Sequence, residues 1–459
     1  MQRLPDQARL RDWTSCVEVS GRKQDMTSTE LIPSARRLME SLRDIGYDLP
    51  ASVADLVDNS IDADAEHVRI DVGHDVHGGW IRIADDGLGM TERQLEEAMR
   101  FGSSRNYRET DLGHFGLGLK TASLAQCRRL TVATRSTVRG PIRIRRWDID
   151  HVARTDAWQL QRMTAKDSPN LLKDPLVART GTVVLWEHLD RVLGARRPGG
   201  EAAARRLEAV AEEIAQHLAM VFHRFLAGET PGPPLHLDVG GVELKPWDPF
   251  ARAERMTRAL PAQSLPLLYA GVRHEVVVQP YVLPAQHHFS SAESHEDAGG
   301  PNRWNRQQGL YIYRRDRLIQ SGGWNRLRTL DEHAKLARIA LDIPPGADPA
   351  FRINVSKMTV GLPDGLRSQL GALIAGVVSL AQDIYRRRLT VVADPESESD
   401  SDQRSRRPVT VGDQWPEILA TLSAELSDHP QLLDSVLVAL SNIKPPEVRV
   451  PEVASMRGG

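Results

Sequence analysis

The sequence predicts an α+β chain, and three observations predict it. Two segments of helical period come before any strand, and the first strands alternate apolar and polar residues and pair through a glycine turn, which makes them antiparallel. Glycine-rich loops then lead from strands into helices. With 459 residues and 41% hydrophobic side chains there is material for the cores of two domains or three.

Residues 1–28 are polar and aperiodic and read as an arm that orders late. Leu31, Ala35, Leu38, Met39 and Leu42 recur at helical spacing, with Pro33 at the start and Gly46 at the end. A second helix follows Pro50, with Val53, Leu56, Val57 and Ile61 as apolar cover and Asp55, Asn59 and Asp62 along one face. A carboxylate one turn before a carboxamide suits activation of water beside a magnesium ion. That ion prefers oxygen ligands and is completed by water and substrate phosphates, so the Asn59 oxygen is the metal ligand to expect.

Val68, Ile70 and Val72 alternate, as do Ile81, Ile83 and Asp85, across a His77-Gly78-Gly79 turn. Asp85 therefore extends an inward-facing apolar row, and a carboxylate placed there must be bound to something. Asp86, Gly87, Leu88, Gly89 and Met90 follow, the two glycines letting backbone approach a flat ligand, and Thr91 with Gln94 has capping-box spacing. Beyond a polar loop containing Ser103 and Ser104, the run Gly113-His114-Phe115-Gly116-Leu117-Gly118-Leu119-Lys120 enters a helix. Backbone N–H groups at such an entry cradle phosphate. Strands over 130–138, 142–149 and 180–186 complete the first domain, residues 29–190.

A second domain, 191–390, starts with a long helix over 202–226 and continues with strands near 235–244 and 275–283. The stretch 286–302 reads as solvated loop, its His287, His288 and His295 lacking metal-ligand spacing. Residues 309–319 form strand, turn and strand, 337–343 a further strand, 351–357 a loop ending at Lys357, and 363–388 a closing helix. Residues 391–409 are a charged, serine-rich disordered linker, and 410–459 hold a helical tail that could dock a protein partner.

The 59 basic and 61 acidic residues leave a formal charge of −2, so no overall field draws the chain to nucleic acid or membrane. Local patches remain: Arg139, Arg143, Arg145 and Arg146 on one strand pair, and Arg303, Arg306, Arg314, Arg315 and Arg317 on another, would suit DNA phosphates. Cys16 and Cys127 form no framework, and no apolar run spans a bilayer, so a cytoplasmic protein is expected.

DLVDNSIDA, DDGLGM, GHFGLGLK and GTVV, in that order, resemble the motifs of the GHKL family, the ATP-binding domain shared by gyrase B, Hsp90, histidine kinases and MutL. The second half is similar to the S5-like transducer domain that follows it in MutL, gyrase B and especially the MORC proteins, and prokaryotic MORC-like proteins are closest in architecture. The resemblance implies a Bergerat ATP-binding sandwich in which Asp85 accepts the adenine amino group, Thr182 supports adenine, Asn59 holds magnesium, and Gly113, Gly116 and Gly118 wrap the phosphates. Asp62, Gly87, Gly89, Met90, Ser103, Ser104, His114, Phe115, Leu117 and Lys120 fall in the same motifs and loops, and Lys357 would reach the γ-phosphate.

Hydrolysing relatives usually carry Glu where this chain has Asp55, which shortens the reach of the general base. The expected activity is therefore slow, magnesium-dependent conversion of ATP and water to ADP and phosphate. ATP would close a homodimer that works on DNA. The alternatives are a chaperone resembling Hsp90 and a nucleotide binder with negligible turnover.

Overall fold

The computed structural model describes residues 33–391 apart from residues 45, 76–77, 103–117, 167–168, 170–171, 173, 177–178, 195–199 and 354–359. All described residues belong to one compact unit. The expected arm, the linker beyond residue 391 and the tail lie outside the described residues.

Helix α1 (Ala35–Arg43) is capped by Ser34, whose side chain accepts from the Arg37 amide at 3.2 Å, so the start falls just past Pro33. Helix α2 (Leu49–Ile61) is capped by Asp48 and carries Pro50 in its first turn, where a missing N–H costs nothing. Its sides are more enclosed than one apolar stripe requires. Asp55 and Asp58 are as buried as Val53 and Val57, and only Asn59 in its last turn is exposed.

The first sheet takes β1 (His67–Asp75), β2 (Gly78–Asp85), β3 (Arg129–Arg135), β4 (Arg143–Asp148), β5 (Gln161–Met163), β6 (Gly181–Glu187), β7 (His236–Val239) and β8 (Val242–Glu243), in the order β5-β4-β3-β6-β2-β1-β7-β8. Between its strands lie α3 (Glu92–Met99), α4 (Gly118–Gln126), α5 (Ile149–Thr155), α6 (Asp190–Leu193), α7 (Glu201–Val221) and α8 (His223–Leu226). The hairpin β1–β2 is antiparallel as expected, but Gly78 and Gly79 pair with Asp75 and His74 and so belong to β2. A side chain at Gly79 would meet Leu193 and Leu207 at 3.0 and 3.3 Å, so the glycine lets these leucines pack closely on the strand. Thr91 and Gln94 form the reciprocal capping box that opens α3.

Period 2 splits each strand between two layers. Ile70, Ile81, Ile83, Leu130, Val132 and Trp186 join Val53, Leu56, Val57 and Leu124 in a large helix-side core. Ala84, Ala133, Ile144, Val183 and Leu185 face Leu172 and Leu176 in a small opposite one. Each fully buried large aliphatic contributes about 1.5–3 kcal/mol, so the helix side carries most of the stabilisation. Asp85, in phase with Ile81 and Ile83, turns to that side.

This sheet does not stop at residue 190. Strand β7 pairs with β1 in parallel, and α7 packs on α2 and β1, so the first layer continues to β8. The single helix expected over 202–226 ends at Val221, and the fully buried Phe222 separates it from α8.

The second sheet has β9 (Arg258–Ala259), β10 (Gln263–Tyr269), β11 (Val272–Val282), β12 (Gly309–Arg314), β13 (Arg317–Ser321) and β14 (Ala337–Ile343), ordered β10-β11-β14-β12-β13 with β9 on β11. The stretch expected as loop holds α9 (Ala292–Gly299), capped by Ser291, and α10 (Arg303–Gln307) follows it. One polar turn of helix after another shows no apolar period, and the cap was its only signal. Helix α11 (Asp364–Val391) covers Leu310, Ile312 and Leu341, while Tyr311, Tyr313, Leu318 and Ala340 on the other face enter the helix-side core of the first sheet. Strand β12 is thus buried at every position, and β13 packs on α7. Among the described residues no helix is long and apolar enough to cross a membrane.

Candidate functional site

Four elements converge at the end of the first sheet: the last two turns of α2, the end of β2 with the loop after it, the first turn of α4, and the start of β6. Register brings them together, since Asp85 of β2 lies opposite Val68 of β1 and Thr182 of β6.

Asp85 is the acid at the centre. Its Oδ1 accepts from the Gly87 and Thr182 amides at 3.1 and 3.0 Å, and its Oδ2 from the Ser60 hydroxyl at 3.1 Å. Burial pushes its carboxyl up to about 6, against these hydrogen bonds, which hold it down. Asp86, beside it, faces outward and holds the loop to β1: its Oδ1 accepts from the Glu66 and His67 amides at 3.0 and 2.9 Å. Two adjacent aspartates therefore do different work, one inside and one as a strap.

The loop glycines serve the protein's own backbone. A Cβ at Gly87 would stand 2.6 Å from the Ala63 carbonyl oxygen, and one at Gly89, where φ is +63, would stand 2.1 Å from that of Arg135. They seat the loop between the end of α2 and the end of β3, whereas the sequence suggested space for a ligand. Met90 donates its N–H to the Thr134 hydroxyl at 2.8 Å, and Thr134 in turn donates to the Gly181 carbonyl at 2.9 Å with the Thr182 hydroxyl 3.2 Å away. Thr182 is thus tied to the same cluster as Asp85.

Asn59 is exposed in the last turn of α2 and Asp62 is exposed at its C-cap. Among the described residues no three His, Cys, Asp or Glu side chains are grouped to hold a metal. The donor set at α2 therefore fits an ion that one exposed amide oxygen and a ligand's own phosphates would hold, and does not fit an all-protein cage.

Asp55 is 3% exposed and lies behind Asn59. Its Oδ2 is 3.8 Å from where a Cβ on Gly118 would stand, which puts the carboxylate against the first residue of α4. Burial, and then the Asp55 charge, push the Tyr47 phenol above its ordinary range. Lys120 is also buried; its ammonium donates to the Ala98 carbonyl at 2.8 Å, at the end of α3, and burial lowers it to about 8. Ser103, Ser104, Gly113, His114, Phe115, Gly116, Leu117 and Lys357 lie outside the described residues.

Sequence reading missed Ser60, Thr134 and Asp58, and it put Arg317 in a DNA-facing patch instead of at this site. Asp58 is fully buried and its Oδ1 accepts from the Arg317 Nε at 2.9 Å. Its signal was present, since it stands one turn after Asp55 on α2, but its partner is 259 residues away.

The two arginine patches do not form as expected. Arg145 is 4% exposed and bonds Glu92 and Glu96, Arg146 pairs with Glu187 at 3.2 Å, Arg314 with Asp348 at 2.7 Å, and Arg317 with Asp58. Alternation along a strand sends half of such a cluster inward, and burial then forces each cation onto a carboxylate. Of the nine, Arg139, Arg303 and Arg306 are exposed.

The fold and this site agree with an ATP-binding class: residues 47–176 match the family described as histidine kinase-, DNA gyrase B-, and HSP90-like ATPase, and this match supports a GHKL-type ATPase domain there. It is also similar to the ATPase morc-1 of Caenorhabditis elegans, with 34% identity over 85 residues, which is 18% of this chain and 10% of that protein. The match thus spans about a tenth of the relative's length.

Proposed function

We propose that the protein binds ATP with magnesium, hydrolyses it slowly, and uses ATP binding to close a homodimer, in the manner of MORC and MutL proteins, with residues 191–390 as an S5-like transducer. The observation that carries this reading is the Asp85 carboxylate, held by Ser60, Gly87 and Thr182 at the mouth of the helix-side layer with the exposed Asn59 amide on the adjoining helix. Asp85 accepts the adenine amino group, the Gly118 end of α4 meets phosphate, and Asp55 takes a proton from the attacking water. Asn59 would hold magnesium, which when bound would supply neutralising charge to the phosphates. Lys357 is the residue proposed to reach the γ-phosphate, and residues 1–28 the segment that orders across the dimer.

The target is DNA in this reading, through Arg139, Arg143, Arg303 and Arg306. The pairing of Arg145, Arg146, Arg314 and Arg317 with carboxylates weakens the electrostatic case and favours the second reading, a chaperone acting on protein clients. Three measurements on the full chain test the proposal: ADP and phosphate release with and without magnesium, light scattering with a non-hydrolysable ATP analogue, and a salt-dependent DNA mobility shift with that analogue. Turnover with unchanged mass would remove the dimer, and no shift at low salt would remove DNA.

A further inference from the structure

Besides apolar packing, the second sheet brings a cation, Arg317, to the two buried acids of α2. Building on the reading of Asp55 as the group that activates water, we propose that Arg317 is a positioning residue for hydrolysis. Anchored on Asp58, it sets the place of the Asp55 carboxylate and makes turnover depend on how the second sheet is seated, while nucleotide binding does not.

The geometry is specific. Asp55 and Asp58 stand one turn apart on α2, with side chains 3% and 0% exposed, and α2 itself has no basic residue. Two acids shut away from water need a cation, and the fold brings one from β13. The Arg317 side chain, 3% exposed, donates Nε to the Asp58 Oδ1 at 2.9 Å and holds Nη2 3.7 Å from the Asp55 Oδ1. The contact to Asp58 is a direct bond, and the contact to Asp55 is an orienting charge just beyond bonding distance. The other Asp55 oxygen looks toward Gly118, so the carboxylate is held between the second sheet and the first turn of α4.

Arg317 has little freedom of its own. It follows the Arg315-Asp316 turn, where both residues have positive φ (+51 and +65), and Leu318 after it is packed in the shared core. Its hairpin partner Arg314 is pinned by Asp348 at 2.7 Å, and the Phe222 ring lies 5.8 Å from the Arg317 guanidinium. A shift of the β12–β13 hairpin therefore carries the guanidinium with it and moves Asp55 by way of Asp58. A planar fork holds both acids in one fixed geometry, which a compact ammonium on a flexible lysine stem does not.

The test compares Arg317→Gln, Arg317→Lys, Asp58→Asn and the Asp58→Asn/Arg317→Gln pair with the parent full chain, measuring ATP turnover and ADP affinity separately. Each single variant is expected to lose about tenfold or more in kcat with ADP Kd within about threefold, since sub-ångström displacement of a reacting group acts on rate. The pair should be no slower than Arg317→Gln alone, because the two residues act as a unit. Should Arg317→Gln fail to fold, Asp58→Asn carries the test, since it keeps the size of the side chain and removes the charge that anchors the guanidinium. Variants that match the parent in kcat, or that lose kcat and ADP affinity together, overturn the role of Arg317. A parent that binds ADP but hydrolyses no ATP overturns the proposed function, and this inference with it.

Discussion

Replacing Asp85 with Asn tests the nucleotide site at its centre. In the parent, Oδ1 takes two backbone N–H groups, from Gly87 and Thr182, and Oδ2 takes the Ser60 hydroxyl. The Asn oxygen keeps the two N–H donors, which turns the new NH2 toward Ser60, whose hydroxyl still reaches the Leu56 carbonyl at 3.3 Å. The fold should survive. An adenine amino group, however, would now face a donor: loss of a charge-assisted bond costs about 1.5–3 kcal/mol and the unmet polar groups about 1–3 more. Together that is about 2.5–6 kcal/mol, or about two to four powers of ten in Kd.

The same carboxyl predicts the pH dependence. Burial raises it to about 6, and an amino donor favours the ionised form, so the complex titrates lower than the free protein. ADP affinity should rise with pH up to about 6 and be flat above it, with about tenfold weaker binding at pH 5, where about one free site in ten is ionised. For the unliganded fold the sign is opposite. A raised carboxyl contributes stability that is full below its unfolded value of 3.8 and lost as pH passes about 6, and Asp85→Asn removes that slope. Calorimetric titration of ADP from pH 5 to 8 measures the first effect, and thermal or denaturant unfolding of the unliganded protein from about pH 4 to pH 7 measures the second, each on parent and variant. An Asn variant that binds ADP within threefold of the parent would falsify the assignment of adenine to Asp85.

Asp55→Asn should keep ADP affinity and lose turnover, and equal phosphate release from the variant would take Asp55 out of the chemistry. Lys357→Ala should bind ADP normally and lose most ATPase activity and analogue-driven closure, which turnover and light scattering check together. Gly89→Ala forces a side chain into left-handed backbone, at about 1–2 kcal/mol, and onto the Arg135 carbonyl 2.1 Å away, so melting temperature and ADP binding should both fall. Gly371→Ala in α11, where nothing stands within 4 Å of the new methyl, should instead raise the melting temperature by relieving about 0.5–1 kcal/mol of helix cost.

Much of the site was legible because its determinants are local. The period of 2 that runs through Ile81 and Ile83 fixes the side on which Asp85 falls, the Thr91 and Gln94 spacing announces α3, and Asn59 follows from the helical count along α2. Each depends on residues within a few positions of one another, where backbone geometry dictates the direction of a side chain. Tertiary structure alone decided the rest. The first sheet recruits β7 from beyond the long helix, and β12 is buried on both faces because two layers claim it. Gly87 and Gly89 answer to the Ala63 and Arg135 carbonyls, and Lys120 to the end of α3. Arg317, read in the sequence as one of a surface cluster, is spent on Asp58 and Asp55. No periodicity reports that pairing, because burial sets the partner of a charge and burial is a property of the assembled layers.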